Sequence, residues 1–561
     1  MLAAIGDNTV RTSTYFRASG TALAVALLSA CGGGSSADPA HLDATAAAAR
    51  CADLAGGAGL ADTTLTPQYV PAGTRRAGGA ATGDFLGGYC VVTGAMNPRT
   101  GVDGHHYQIG FQLSLPDDWN GRFLYVGGGG NDGTLRDTTA ALGGGLTSPV
   151  AQGYAVVSTD AGHQTTLAAD FGGDPQARID HAYNAHDKAA VAAKTIIARR
   201  YQKSAAKSYF QGCSGGGRQG MMFSQRFPDY FDGIVAMAPA QRVSSGATVA
   251  AMWNNIQFTN AAPLDGNGKP ILSQALSSAD LQLVATAVTN ACDAADGAAD
   301  GMVNNFKACT FNPAVLQCSG AKTATCLTST QVTALQNVFG GPHNSSGQAL
   351  YPGQPWDPGI ASAGWRAWTL GTSTTATPNS LYNLLMSDAL RNEFFTPPDP
   401  GFDILKFNFD TDPQRMEAFS QVYDTYRDTK LSAFQAHGGK LLFVHGLADP
   451  IFSPLDTRDY YEKLAASNGG IAATQSFARA FFVPGMNHCS GGPATDSFDA
   501  LQAVVDWVEK GQAPDSIKAT ALATSAYFPN RTRPLCPYPK FAKYKGTGSL
   551  EDAANFTCES S

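Results

Sequence analysis

Apolar residues in this chain fall into short strand-like runs separated by helical stretches. Phe111-Gln112-Leu113-Ser114-Leu115 alternates as a strand does. Residues 122–126 and 154–158 read as buried strands, the first running into a glycine loop, 127–130, and the second into Thr159-Asp160-Ala161-Gly162-His163. An Ala-rich helical pattern covers 180–201 and leads to a strand at 208–210 and a helix-like run at 219–224. The alternation resumes late in the chain, with strands at 440–444 and 480–483 and helices at 456–466 and 497–510. Strands alternating with helices predict an α/β fold with a mainly parallel sheet. Between 241 and 435 the pattern changes to short helical pieces, polar loops, clustered cysteines and many aromatics, which predicts an inserted lid domain. The expected division is a leader (1–31), a flexible tether (32–48), a core in two parts (49–240 and 436–561) and the lid (241–435).

A length of 561 residues suits that division, since single cores stop growing near about 250–300 residues. Hydrophobic content of 43% with 15% charged residues describes a globular chain, and a net charge of -7 leaves no electrostatic footprint for nucleic acid. Arg11 and Arg17 precede an apolar run, 21–28, too short to span a bilayer, as in an export signal. Leu28-Ser29-Ala30-Cys31 resembles a bacterial lipoprotein box, with Cys31 as the lipid anchor and Gly32-Gly33-Gly34-Ser35-Ser36 as the tether. The alternative is a plain secretory signal cut near Ala30. Either way the mature protein is expected outside the cytoplasm: periplasmic, an outer-membrane lipoprotein or extracellular. Of eleven cysteines, ten remain without Cys31, an even number suited to disulfides in an oxidising compartment. No CxxC pair occurs, which disfavours a zinc ribbon or a thioredoxin-type motif.

Candidate chemistry centres on Gly212-Cys213-Ser214-Gly215-Gly216, which fits G-x-S-x-G between a strand and a helix. That motif is the nucleophile elbow, and alone it is weak. A serine nucleophile needs a base and an orienting acid, which in the α/β-hydrolase order follow it as Asp and then His, beyond strands. Asp449 and His488 meet that requirement. His445 precedes Asp449 on the same loop, while His105, His106, His163, His181 and His186 precede Ser214, so His488 is the candidate base. An oxyanion needs backbone N–H donors, for which Gly215 and Gly130 are chosen. The match of Gly128, Gly130 and Gly133 to G-x-G-x-x-G is weak without a helix opening there. Cys213 and Cys489 each adjoin a candidate catalytic residue, so a bond between them would staple the elbow to the histidine loop; the alternative is two unrelated buried thiols. Asp293, Asp296 and Asp300 lie in a Gly-turned loop that suits either solvation or a hard cation.

Gly-Cys-Ser-Gly-Gly-Gly-Arg at 212–218, the Asp449 loop and Asn487-His488-Cys489-Ser490-Gly491-Gly492-Pro493 together resemble the signature of the tannase and feruloyl esterase family. The similarity runs from Cys51 to Cys558 and includes 174–178, 224–228 and 533–539. It implies an α/β-hydrolase fold with a large inserted lid, and a serine esterase acting on small aromatic esters, with no organic cofactor and no protein partner. A terephthalate monoester comes first, with feruloyl or galloyl esters as the alternative. A non-catalytic binding protein on the same scaffold is a remote reading that a full catalytic set argues against. The resemblance also implies disulfides Cys51–Cys90, Cys213–Cys489, Cys292–Cys309, Cys318–Cys326 and Cys536–Cys558. A structural Ca2+ in the lid is implied, held by the side chains of Asp293, Asp296 and Asp300 and the carbonyls of Ala298 and Met302. Trp368 and Phe394 are implied as pocket lining, with core packing in the lid as the alternative for both. Where terephthalate-monoester hydrolases of the family use an Arg to grip the free carboxylate, this chain has Leu381, and Arg391 is the nearest cation in the sequence.

Overall fold

Alternating side chains of the central strands feed two separate cores. In the computed structural model, which describes residues 40–79, 84–143, 147–165 and 168–560, nine strands form one sheet. They are β1 (Thr63–Val70), β2 (Tyr89–Thr100), β3 (His106–Pro116), β4 (Arg122–Val126), β5 (Ala155–Thr159), β6 (Lys207–Cys213), β7 (Gly233–Met237), β8 (Lys440–Gly446) and β9 (Ala478–Val483), in the spatial order β9-β8-β7-β6-β4-β5-β3-β2-β1. Phe123, Tyr125, Val157, Phe210, Ile234 and Phe443 point into one apolar cluster. Their neighbours Leu124, Val126, Val156, Tyr209, Val235, Leu442 and Val444 point into the other. This period of two, with both faces covered, is why the central strands read as continuous apolar runs. Helix α1 (Ala185–Tyr201) packs its Ala189, Ala193 and Ile196 on the first face. A later helix, Ala500–Lys510, packs Val504 and Trp507 on the second.

From β5 through β9 the pairings are parallel. The mainly parallel expectation holds there, but β1, β2 and β3 form an antiparallel edge. The strand expected at 111–115 belongs to that edge. Two helix starts also differ from expectation. Asp180–Asn184 forms a wider π-type turn before α1, and the last core helix begins at Ala500, where the Asp499 side chain accepts from the Gln502 N–H.

Helix α2 (Gly215–Arg226) follows β6 directly. The chain leaves the sheet after β7 and returns at β8, passing between them through α3 (Thr248–Ala261), α4 (Ser278–Cys292), α5 (Ser329–Gly340) and many single turns. Helix α6 (Pro454–Ser467) follows β8, and α7 is the Ala500–Lys510 helix. Aromatics of the insertion, Tyr382, Phe394, Phe395, Phe419 and Tyr423, share an apolar cluster with Tyr107, Phe171, Ile451 and Phe452 of the flanking core. All the described residues belong to one compact unit, Pro39–Ser561. The leader, Cys31 and residues 32–39 of the tether lie outside the described residues.

Candidate active site

Strand β6 delivers Ser214 into a turn that only small neighbours allow. A Cβ added at Gly212 would lie 2.6 Å from the Gly216 carbonyl carbon, and one at Gly216 would lie 2.8 Å from the Gly128 carbonyl oxygen. Ser214 itself has φ 66° and ψ -125°, a strained region for a side chain that is expected at a nucleophile elbow. The turn is tied down by Ser214 N–H donating to Met237 O at 3.0 Å and by Ala240 N–H donating to Ser214 O at 3.2 Å. The hydroxyl does not cap its own helix.

Loops after β8 and β9 bring Asp449 and His488 together. His488 Nδ1 lies 2.8 Å from Asp449 Oδ2. Asp449 is buried, and its Oδ1 accepts from the N–H groups of Ile451 (2.9 Å) and Phe452 (3.1 Å). Burial pushes the Asp449 carboxyl up, but the charge on His488 and hydrogen bonds from His445 and His488 outweigh it and hold it well below the usual carboxylate range. Cys213 and Cys489 form a disulfide, so the neighbours of Ser214 and His488 are covalently joined. Among the described residues the His488 ring makes one hydrogen bond, to Asp449, and none to Ser214. Such bonds often tighten only when substrate is bound. The other four implied pairings are also present as disulfides.

The two candidate oxyanion donors are neighbours. A Cβ on Gly215 would lie 3.3 Å from both the Gly129 Cα and the Gly130 carbonyl oxygen. Gly130 has φ 61°. The loop is held from behind: Gly128 N–H donates to Gln219 Oε1 (2.9 Å), Gln219 Nε2 donates to Asp132 Oδ2 (2.8 Å), and Gly129 N–H donates to Asp132 Oδ1 (2.9 Å). Burial raises the Asp132 carboxyl, countered by His181, Arg218, the Gln219 bond and Arg136.

Several residues of the site were not singled out from the sequence. His445, fully buried, places Nε2 3.2 Å from Asp449 Oδ2 and 3.1 Å from Phe452 O, with Nδ1 2.9 Å from Thr457 Oγ1. Both partners of Nε2 are acceptors, so that nitrogen carries a proton. Phe452, also not singled out, and Trp368, which the family resemblance implied, each set a ring 5.3 Å from the His488 ring, edge on. The insertion also grips the histidine loop: Asp357 Oδ2 accepts from Gly485 N–H (3.0 Å), and Ser362 donates to the Asn487 side chain. The one available signal in the sequence was the spacing of His445 four residues before Asp449; the pattern predicts both on one loop, but the structure places His445 near the end of β8, paired in register with Phe482.

Trp368 thus stands beside the candidate base. Phe394 is 2% exposed; it stacks on Phe419 at 6.1 Å and meets Tyr423 at a tilt at 5.8 Å, within an apolar cluster between the insertion and the flanking core. Leu381 is half-buried at the turn that starts Tyr382–Met386, and the Tyr382 hydroxyl donates to Pro450 O beside Asp449. Arg391 turns its Nε to Phe402 O at 2.8 Å.

In the acidic loop, Asp293, Asp296 and Asp300 are buried. Burial raises the Asp293 carboxyl and raises Asp296 to about 6. Asp293 Oδ1 is buried without a hydrogen-bond partner, an orphaned acceptor whose chemistry fits a hard cation. Arg533 binds Asp300 Oδ2. Among the described residues no three His, Cys, Asp or Glu groups stand at metal-binding spacing as they are. No helix among the described residues is long and apolar enough to cross a membrane.

Comparison with known proteins places these observations in a lineage. A family model described as tannase and feruloyl esterase matches residues 90–559. The mono(2-hydroxyethyl) terephthalate hydrolase of Piscinibacter sakaiensis is 44% identical over 516 residues, 84% of each chain. A probable feruloyl esterase of Arthroderma benhamiae is 32% identical over 468 residues, 80% of this chain and 81% of that one. The crystal structure of feruloyl esterase B from Aspergillus oryzae superimposes with a TM-score of 0.76 at 27% identity, covering 91% of this chain and all of the other.

Proposed function

This chain belongs to the tannase and feruloyl esterase family and is a carboxylic ester hydrolase, and on that footing we propose that it cleaves esters of aromatic acids through an acyl-enzyme on Ser214. The observation that carries the mechanism is the hydrogen bond from His488 to the buried Asp449, beside the Cys213–Cys489 disulfide. In this reading His488 takes the Ser214 proton as the hydroxyl attacks the carbonyl and returns it to the leaving alcohol. Asp449 holds the Nδ1–H tautomer and stabilises the imidazolium, and the N–H groups of Gly130 and Gly215 take the oxyanion. A water then repeats the sequence to release the acid.

For substrate, we place a terephthalate monoester first, because the relative sharing 44% identity is named for one. Feruloyl or galloyl esters are the alternative, favoured by Leu381 standing where a carboxylate-gripping cation is expected and by Arg391 being turned to Phe402 O. Trp368, edge on to His488, supplies a flat wall for an aromatic acyl group, and Phe394 backs the insertion that carries it. Asp293, Asp296 and Asp300 with the Ala298 and Met302 carbonyls would hold a structural Ca2+, which supplies charge neutralisation in the insertion and takes no part in the chemistry. The leader and Leu28-Ser29-Ala30-Cys31 support export, with Cys31 as a lipid anchor.

Ser214→Ala tests the mechanism. Hydrolysis of an aryl ester such as methyl ferulate is expected to fall by at least about 10³-fold with folding intact. Turnover near the wild-type rate overturns the serine mechanism.

A further inference from the structure

The glycine loop of the oxyanion site has one backbone turn bond of its own, Asp132 N–H to Gly129 O at 3.2 Å, and side chains hold Gly128 and Gly129. Two of its N–H groups, at Gly128 and Gly129, end on side chains that are almost wholly buried: Gln219 is 0% exposed and Asp132 is 3% exposed. Gln219 lies on α2, five residues after Ser214. The loop bearing Gly130 is thereby bound to the helix that carries the nucleophile.

We propose that Asp132 and Gln219 are positioning residues that set the oxyanion donor at Gly130 relative to Ser214. This inference rests on the serine mechanism proposed above. Its core is a count of donors. The two ends of the relay, Gly128 N–H and Gly129 N–H, are both donors and need acceptors. One side-chain oxygen must therefore face each end, and the link in the middle must contain one donor and one acceptor. A carboxylate with a carboxamide meets the condition, and the observed order does so: Gly129 N–H to Oδ1, Oδ2 from Nε2, and Oε1 from Gly128 N–H. The Gln219 amide is oriented by its partners, with no free choice of flip. Arg136 Nη2, donating to Gly128 O at 3.1 Å, pins the same residue from its other side.

The same count defines the test. In Asp132→Asn the middle link meets amide with amide, and whichever way the two groups turn, one donor faces another. In Asp132→Asn with Gln219→Glu, the carboxylate and carboxamide change places and every bond is restored. Steady-state kinetics on methyl ferulate, with thermal melting of each variant, read the outcome. Asp132→Asn is expected to lower kcat about tenfold or more, within the ~10²–10³-fold that loss of a whole oxyanion donor causes, while KM moves less than about twofold. The double variant is expected to recover kcat to within about threefold of wild type. Gln219→Met, which removes both of its bonds, is expected to match the Asp132→Asn loss and carries the test if Asp132→Asn does not fold. Wild-type kcat in Asp132→Asn or in Gln219→Met, or a folded double variant no faster than Asp132→Asn, overturns the relay. Ser214→Ala measured alongside separates the two ideas: activity surviving there overturns the serine mechanism, whereas an inactive Ser214→Ala beside unimpaired relay variants overturns the relay alone.

Discussion

Cys213 and Cys489, 276 positions apart in sequence, are bonded with their Cα atoms 5.9 Å apart, and each is the chain neighbour of a candidate catalytic residue. The elbow after β6 and the loop after β9 are otherwise separate, because β7 and β8 lie between their strands in the sheet. The bond therefore fixes a spacing that the sheet sets only indirectly. Cys489 also has φ 67°, so the residue after His488 is held in a conformation that a free loop would tend to leave.

Replacing both cysteines by alanine is expected to act on stability and rate together. Removing a disulfide of this span typically costs about 2–5 kcal/mol, readable as a lower midpoint in denaturant. Activity should fall further than stability requires, because His488 is freed to wander from Ser214. Assays well below the melting range separate the effects; a folded double variant with wild-type kcat would show that the bond serves stability alone.

His445 offers a second test, because it donates to the carboxylate that orients the base. His445→Phe removes the Nε2 donor and leaves Phe452 O and Thr457 Oγ1 short of a partner, at a cost of about 1–3 kcal/mol. The pH dependence has a definite sign. The folded Asp449 carboxyl is held below its ordinary range, so its hydrogen bonds stabilise the fold above about pH 4 and that contribution is lost as acid protonates it. The stability gap between wild type and variant is expected to be widest near neutral pH and to narrow below about pH 4. A gap independent of pH would assign the loss to packing.

Much of this architecture was legible in the residues, for unequal reasons. Most central strands carry apolar runs because both faces are covered, and Asp449 and His488 each follow such a run, whereas the strand before Ser214 shows only the Tyr209-Phe210 pair between polar residues. The antiparallel edge was not read. β1 is Thr-rich and carries Pro67, and its buried side chains are few, so its alternation is faint. Asp132 escaped because its role depends on Gln219 of α2, which spacing along one loop does not reveal, and His445 because its bonds to Asp449 and Phe452 O depend on how the stretch after β8 folds back over it. Phe394 shows the converse: an aromatic in the right stretch that the structure packs against Phe419 and Tyr423.

Chelation tests the acidic loop. Asp293 Oδ1 is buried without a partner, and although Arg533 pairs with Asp300, burial and the Asp300 charge still push the Asp293 and Asp296 carboxyls up, a repulsion that a bound cation relieves. EDTA is expected to lower the melting temperature by several degrees, and excess Ca2+ to restore it, through the linkage of binding to the folded state. Asp293→Asn should abolish the response to both. A melting temperature indifferent to EDTA would remove the loop from consideration as a Ca2+ site.

Leu381 bears on which ester is preferred. It is half-buried at the start of a turn whose next residue, Tyr382, bonds to Pro450 O beside Asp449, so a longer side chain there starts close to the site. A carboxylate on the acyl ring needs a cation, ideally the two-pronged guanidinium, to offset its desolvation. Leu381→Arg is expected to lower KM for the terephthalate monoester by about tenfold, the equivalent of ~1.4 kcal/mol from one charge-assisted pair. The KM for methyl ferulate, which has no such carboxylate, should change little or rise. Equal effects on both substrates would mean that position 381 lies outside the reach of the acyl group's far end.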